Sequence, residues 1–262
     1  LAEVVFNQHN SDESTTTSEF DAGGQISGRK TTETGPSQDF RGKIDYTLPI
    51  TDVSKFEAGY QGEIEQSDES NDLYEFNAAN SEYEIQPQFS NLTKYFDSQH
   101  SLYSIYSDFF WILNIQAGLR AEFTYRNIEV PWINQSFSLD RIDYFPSLHT
   151  SYKFSPVSTL MASYSRRINR PDGWALEPFP TWIDANNVRI GNPDLLPEFI
   201  DSYETGVQTV LGSVSVSTEL YFRMTTNKID PVRTALEENV TLTTFSNVGD
   251  DLTPSLSARS LF

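Results

Sequence analysis

Apolar and polar residues alternate one for one through long stretches of this chain. Phe56, Ala58, Tyr60, Gly62 and Ile64 are apolar or small, and Glu57, Gly59, Gln61, Glu63 and Glu65 stand between them. Leu113, Ile115, Ala117, Leu119, Ala121, Phe123 and Tyr125 alternate with Asn114, Gln116, Gly118, Arg120, Glu122 and Thr124. Val214, Val216, Thr218, Leu220, Phe222 and Met224 alternate with Ser215, Ser217, Glu219, Tyr221 and Arg223. Successive side chains of a strand point to opposite faces, so each stretch predicts a β-strand with one apolar face. The pattern predicts strands at 20–31, 39–49, 55–65, 97–108, 111–125, 143–154, 157–168, 200–211, 214–225 and 244–262. Over 97–108 the facing is ambiguous, because Leu102, Tyr103, Ile105 and Tyr106 fall on both sides. These runs are longer than the usual ~5–6 residues of soluble strands and match the ~9–11 that a tilted strand needs to cross hydrocarbon.

The connections alternate in length. Short turns fall at Thr51–Ser54, Phe109–Phe110, Ser155–Pro156 and around Gly212, and long polar connections at 66–96, 126–142, 169–199 and 226–243. Outer-membrane barrels alternate in this way, with tight periplasmic turns and long external loops. Phe109, Phe110, Trp111 and Phe154 stand at the short-turn end, where an aromatic girdle is expected. The expected architecture is all-β: a portion of an antiparallel up-and-down transmembrane β-barrel, with residues 1–262 in one domain and 1–19 as loop or terminus. The stretch 66–82 is acidic and reads as a solvated loop.

Composition narrows the function. The net charge of −19 makes nucleic acid a poor partner, and the lack of cysteine excludes disulfides and thiolate metal sites. No apolar run approaches the ~18 residues of a membrane helix. Residue 1 is Leu and no signal peptide is present, so the chain reads as processed or as a fragment.

Catalytic patterns are sparse. His9, His100 and His149 lack metal-ligand spacing, and neither a Gly-x-Ser-x-Gly elbow nor a Walker loop is present. Gly28-Arg29-Lys30-Thr31 lacks the upstream glycine of a phosphate loop. Asp68, Glu69 and Asp72 carry the oxygen ligands calcium takes, but they do not fit an EF-hand and read as solvated loop. The sequons at Asn91, Asn134 and Asn239 read as chance matches. No catalytic residue, cofactor or metal is expected. Lys43, Asp45, Glu63, Arg120, Glu122, Arg167, Glu204, Glu219 and Arg223 fall on polar strand faces that would line a lumen, paired with each other, with water or with a plug.

One segment is distinctive. Tyr164-Ser165-Arg166-Arg167-Ile168-Asn169-Arg170-Pro171 is followed by Trp174, Pro178, Trp182 and Asp184, then by Gly191-Asn192-Pro193-Asp194-Leu195-Leu196-Pro197-Glu198 and Ser202-Tyr203-Glu204. The ordered set resembles the barrel of TonB-dependent receptors, in which a Tyr-Ser-x-Arg-x-x-Arg-Pro strand end leads through a long loop to Gly-Asn-Pro-x-Leu-x-Pro-Glu and a Ser-Tyr-Glu strand. Arg41–Tyr46, Phe56–Gly62, Ala117–Glu122 and Asn247–Gly249 resemble that barrel's strands more loosely, so the likeness covers about residues 38–250. It implies a 22-stranded wall around a plug domain, powered by TonB, in the outer membrane of a Gram-negative bacterium and in contact with its lipid.

Neither plug nor TonB box occurs here, and about ten strands cannot close that wall, so what the resemblance implies, plug and TonB system included, is an expectation for a longer parent chain. Phe262 is read as a truncation. The prolines and Gly191-Asn192-Pro193 read first as shaping the loop and wall. Trp174, Trp182, Asp184 and Asn186 are the ligand-loop candidates.

The resemblance implies active uptake of an iron chelate, a cobalamin, a glycan or a peptide. A passive porin-like channel and a soluble β-sandwich binding protein are the alternatives. The sequence does not identify a surface lipoprotein partner.

Overall fold

The computed structural model describes residues 1–184, 186–237 and 239–261; Phe262, read above as a truncation, lies outside them. The strands in chain order are β1 (Ala2–Asp21), β2 (Gly24–Pro49), β3 (Lys55–Asn77), β4 (Glu82–Ile85), β5 (Asn91–Phe110), β6 (Leu113–Val130), β7 (Gln135–Ser155) and β8 (Ser158–Asn169). After a single helical turn α1 (Gly173–Leu176) come β9 (Thr181–Trp182), β10 (Asn187–Arg189), β11 (Glu198–Leu211), β12 (Val214–Thr226), β13 (Ile229–Glu237), β14 (Val240–Asn247) and β15 (Asp251–Leu261).

One sheet runs β1-β2-β3-β5-β6-β7-β8-β11-β12-β15, with β4 attached to β3. Every pairing along it is antiparallel. The two outer strands β1 and β15 do not pair with each other, so the sheet is open. A β-sandwich would divide these strands between two facing sheets; here a single sheet carries the apolar alternation on one side.

The register fixes which side is which. Tyr60, Leu102, Ala121 and Tyr144 lie in one cross-strand row, and Ile64, Ser98, Tyr125 and Asp140 in another. This outward face leaves large apolar groups uncovered, among them Leu102, Leu119, Ile142, Tyr144, Leu220 and Leu256. The ambiguity over 97–108 resolves here: Leu102 and Tyr106 point outward, and Tyr103 and Ile105 inward. Phe109, Phe110 and Phe154 are exposed at the short-turn end, and Trp111 is 87% exposed, stacked only on Phe110. Packing against a hairpin end would bury these rings; an interfacial girdle leaves them open.

The inward face reads as polar rows. Lys43, Gln61, Ser101, Glu122 and Asp143 form one, and Arg41, Glu63, Gln99, Thr124 and Arg141 the next. Arg41–Glu63 pairs within the second row and Arg141–Asp143 at 2.6 Å between the two, while Lys43–Asp45 at 3.0 Å and Arg120–Glu122 at 3.5 Å tie the first to the next row, of Asp45, Gly59, Tyr103, Arg120 and Phe145. Gly59 sits opposite Tyr103, where a Cβ would collide with the phenol; the bare position lets Tyr103 lie across β3 and donate to Asp45.

Several boundaries depart from the alternation. Residues 2–21 are strand, not loop or terminus, and the expected strand at 20–31 is cut by a turn at Asp21–Gly24, where Gly24 has φ +132° and Asp21 accepts the Gly23 amide at 2.7 Å. The connections at 66–96 and 126–142 shrink because β3, β5, β6 and β7 continue past the apolar band. The tight turns fall at 111–112 and 156–157, shifted from Phe109–Phe110 and Ser155–Pro156. Residues 244–247 belong to β14, so the last strand begins at Asp251. The strand residues outside the predicted ranges are largely polar, and among them Ile128 and Val130 turn their apolar side chains inward. A ladder needs neighbouring backbone, not apolar side chains, so the strand outlasts the pattern that reveals it.

A second, four-stranded sheet, β13-β14-β10-β9, is built from the connections 170–197 and 227–250. Its β10–β14 pairing is parallel, which joins the two connections.

Candidate functional site

The segment between β8 and β11 folds over the inward face at the end opposite the short turns. Ala175, Leu176 and Leu195 bury themselves against Ile128 of β6, with Tyr95, Phe137, Ile229 and Phe245 packed around them. Phe179 and Val188 are each 1% exposed. Ile128 and Val130 extend the inward-facing series of Glu122, Thr124 and Arg126, so the inner face turns apolar where this segment covers it.

The Gly-Asn-Pro motif is the clasp. Gly191 donates its amide to the Glu177 carbonyl and Asn192 donates to the Ala175 carbonyl, both at 2.7 Å. A Cβ on Gly191 would stand 2.5 Å from the Glu177 nitrogen and 2.7 Å from the Ala175 carbonyl, so the two backbones can meet only at glycine. The Asn192 side chain accepts the Asp194 amide at 3.0 Å and donates to the Phe245 carbonyl at 3.1 Å. Pro193 and Leu195 offer carbonyls to Arg126, and Pro171 and Pro197 border a small gap beside Arg126, Arg141 and Arg170. Glu198 accepts from Asn169 and from the Ile229 amide, both at 2.7 Å.

The arginines and tyrosines of the motif serve the wall. Arg170 pairs with Glu122 across the inner face, and Arg167 donates to Ser202 at 3.3 Å. Tyr164 donates to Asp201 at 2.7 Å and packs on Tyr203, with ring centroids 4.9 Å apart. Glu204 faces inward, accepts from Ser163 at 3.3 Å, and borders a concavity of about 480 Å³ at the short-turn end with Asn114, Gln116, His149 and Glu219.

The four ligand-loop candidates do not converge. Trp174 is 42% exposed, with Arg189 5.1 Å from its ring and Phe245 edge-on. Trp182 is capped by Arg29 at 3.9 Å and touches Phe89, and its buried indole N–H has no partner among the described residues. Asp184 accepts the Asn186 amide at 2.8 Å and the Asn187 side chain at 2.9 Å, and these bonds hold its carboxyl below the usual range. Asn186 donates to the Asn239 carbonyl at 2.8 Å. Asp184 and Asn186 thus close an exposed turn, while the two indoles stack on guanidiniums.

Sequence reading missed a group at this end. Glu33, Glu69 and Glu177 meet beside Arg189 under the covering segment. Glu69 is therefore half-buried on the inward face of β3, not in the solvated loop expected for 66–82. Among the described residues no group of three or more acidic or histidine side chains is arranged to hold a metal ion.

An antiparallel sheet with an uncovered apolar outer face and an ion-paired inner face is the wall of a membrane β-barrel. The profile of the outer membrane protein beta-barrel family matches residues 2–259, and the chain belongs to that family, whose place is the Gram-negative outer membrane. No protein of curated function matches the sequence. The fold is similar to the unliganded ferric citrate transporter FecA, at 12% identity and TM-score 0.64, covering 99% of this chain and 36% of that one. It is similar to a double mutant of the Serratia marcescens hemophore receptor HasR in complex with its hemophore HasA and heme, at 11% identity and TM-score 0.63, covering 89% and 41%. It is also similar to the RagAB peptide transporter, at 15% identity and TM-score 0.62, covering 99% and 31%. The chain thus spans well under half of each of these structures, and at such identities the likeness speaks for the fold.

Proposed function

We propose that this chain is part of the barrel wall of a TonB-dependent receptor that actively takes up a nutrient: an iron chelate, a cobalamin, a glycan or a peptide. The observation that carries the reading is the segment 170–197, clasped by Gly191 and Asn192 across the inner face beyond the apolar band. A diffusion pore gains nothing from a covered mouth; a gated receptor needs one. In this reading the short turns are periplasmic and the covered end is extracellular. The inner face around Gln116, His149, Glu204 and Glu219 would meet the parent chain's own plug, and exposed Trp174 with the Asp184–Asn186 turn would meet the substrate.

Topology and transport are tested separately on the full-length parent protein in intact cells. A cysteine at Asp184 should label with an impermeant maleimide without breaching the outer membrane; labelling only after breach reverses the orientation. Substrate accumulation should be saturable and should stop when TonB is deleted. Uptake indifferent to TonB and linear in concentration would replace this reading with the porin-like one.

A further inference from the structure

Glu177 is 1% exposed, and its Oε1 is buried with no hydrogen-bond donor among the described residues. It is carried on the covering segment and meets two carboxylates of the wall, Glu69 of β3 and, beyond it, Glu33 of β2. Glu13 of β1 and the Tyr95 phenol of β5 add to the field, and Arg189 of β10 is the cation facing them, 3.4 Å from the Glu177 Oε2. A second observation marks the same spot. Thr93 pairs with Glu69 across β3 and β5 on the inward face and is 0% exposed, and Asn91, two residues before it, is 9% exposed; among the described residues neither the Thr93 Oγ1 nor the Asn91 Oδ1 has a partner. Three carboxylates against one guanidinium, away from water, cannot all stay charged, and two carboxylate oxygens can touch only with a proton between them.

We propose that Glu33, Glu69 and Glu177 form a proton-sharing latch that docks the segment 173–191 on the wall and releases it as pH rises. The inference rests on the reading of that segment as the cover of the mouth. Burial, and then Glu69, push the Glu33 carboxyl up to about 7. Burial likewise raises Glu69 and Glu177, with Arg189 pulling both back. The sign follows: carboxyls raised in the docked state hold their protons more tightly there than in the open state. Docking is therefore strongest at acidic pH and weakens as pH climbs through about 7, the value for Glu33.

The test uses the full-length protein in intact cells, which has no cysteine in this portion. Ala175→Cys reports the buried side of the segment, and Ala78→Cys, in the exposed β3–β4 turn, corrects for thiol ionisation and reports topology. The ratio of maleimide labelling, 175 over 78, should rise several-fold from pH 5 to pH 8.5. Adding Glu69→Gln and Glu177→Gln should flatten it at the low, docked value. As a readout without the cysteine, amide exchange at Gly191 and Asn192, corrected for intrinsic rates, should lose protection over the same range. A flat ratio and flat protection in the unsubstituted background overturn the latch. So does restoration of protection at pH 8.5 by millimolar calcium with no response to acid, which would make the cluster a cation site. If Ala78→Cys labels only after the outer membrane is breached, the topology fails instead, while exchange at Gly191 and Asn192 still decides the latch.

Discussion

Leu119→Arg is the sharpest test of the membrane assignment. On β6 the outward series runs from Leu113 to Tyr125, and Leu119 stands at its middle, between Ser104 and Pro146 of the neighbouring strands. At about 3.4 Å per residue and a tilt near 40°, six residues on either side place the ends of the series roughly 16 Å from the centre. That matches an apolar band about 25 Å tall with its interfaces just inside Leu113 and Tyr125. An arginine at 119 should therefore cost about 2–4 kcal/mol, the midplane value, while Leu113→Arg at the rim should cost about 0–1 kcal/mol. Gln116→Arg faces the inner concavity, opposite His149, and should cost less than Leu119→Arg. The assay is reversible folding of the complete parent barrel into lipid bilayers, read by denaturant titration. Equal costs at 119, 113 and 116 would refute both the depth and the facing.

Gly191→Ala should loosen the covering segment by about 1–3 kcal/mol through overpacking, seen as faster protease cutting within 170–197 at unchanged barrel folding. Asn192→Ala removes the bonds to Asp194 and Phe245 and should raise amide exchange both in 173–197 and in the β13–β14 hairpin; exchange confined to one of them would contradict the clasp. Glu122→Gln neutralises the buried member of the cluster and leaves Arg120 and Arg170, 41% and 28% exposed, without a carboxylate, and should cost about 1–3 kcal/mol in the same bilayer folding assay. Glu204→Gln, on a more exposed side chain that accepts from Ser163, should stay within about 0.5 kcal/mol.

The membrane-crossing part of the wall was legible because burial in lipid leaves a period of two. Phe56–Ile64, Leu113–Tyr125 and Val214–Phe222 carry it without interruption, and their facing agrees with the register. Past the apolar band that constraint lapses. Residues 2–21, 66–77 and 126–130 form strands from largely polar stretches, with Ile128 and Val130 turned to the inner face, and the threonines at 15–17, 31, 32 and 34 were the remaining cue, since β-branched side chains suit a pleated surface.

The site was legible only in part. Gly191 and Asn192 stood out as a turn signal, but their partners, the carbonyls of Ala175, Glu177 and Phe245, are backbone atoms that no side-chain pattern announces. Glu33, Glu69 and Glu177 lie far apart in the chain and come together only through the β2–β3 register and the fold of the segment above it. Glu69 reads as solvated loop because the stretch around it, with Asp68 and Asp72, is acidic as well.

The clasp has a thermodynamic consequence. Asn192 holds Phe245, Asn247 holds Leu196, Glu198 holds the Ile229 amide, and β10 runs beside β14. Two excursions of the chain separated by two membrane strands therefore share one set of bonds, and neither can be displaced without work on the other. A molecule that touched only the β13–β14 hairpin would change the free energy of lifting Leu176 from Ile128, and by reciprocity a loosened Leu176 would change that molecule's affinity. The mouth is in this sense a single part with two handles.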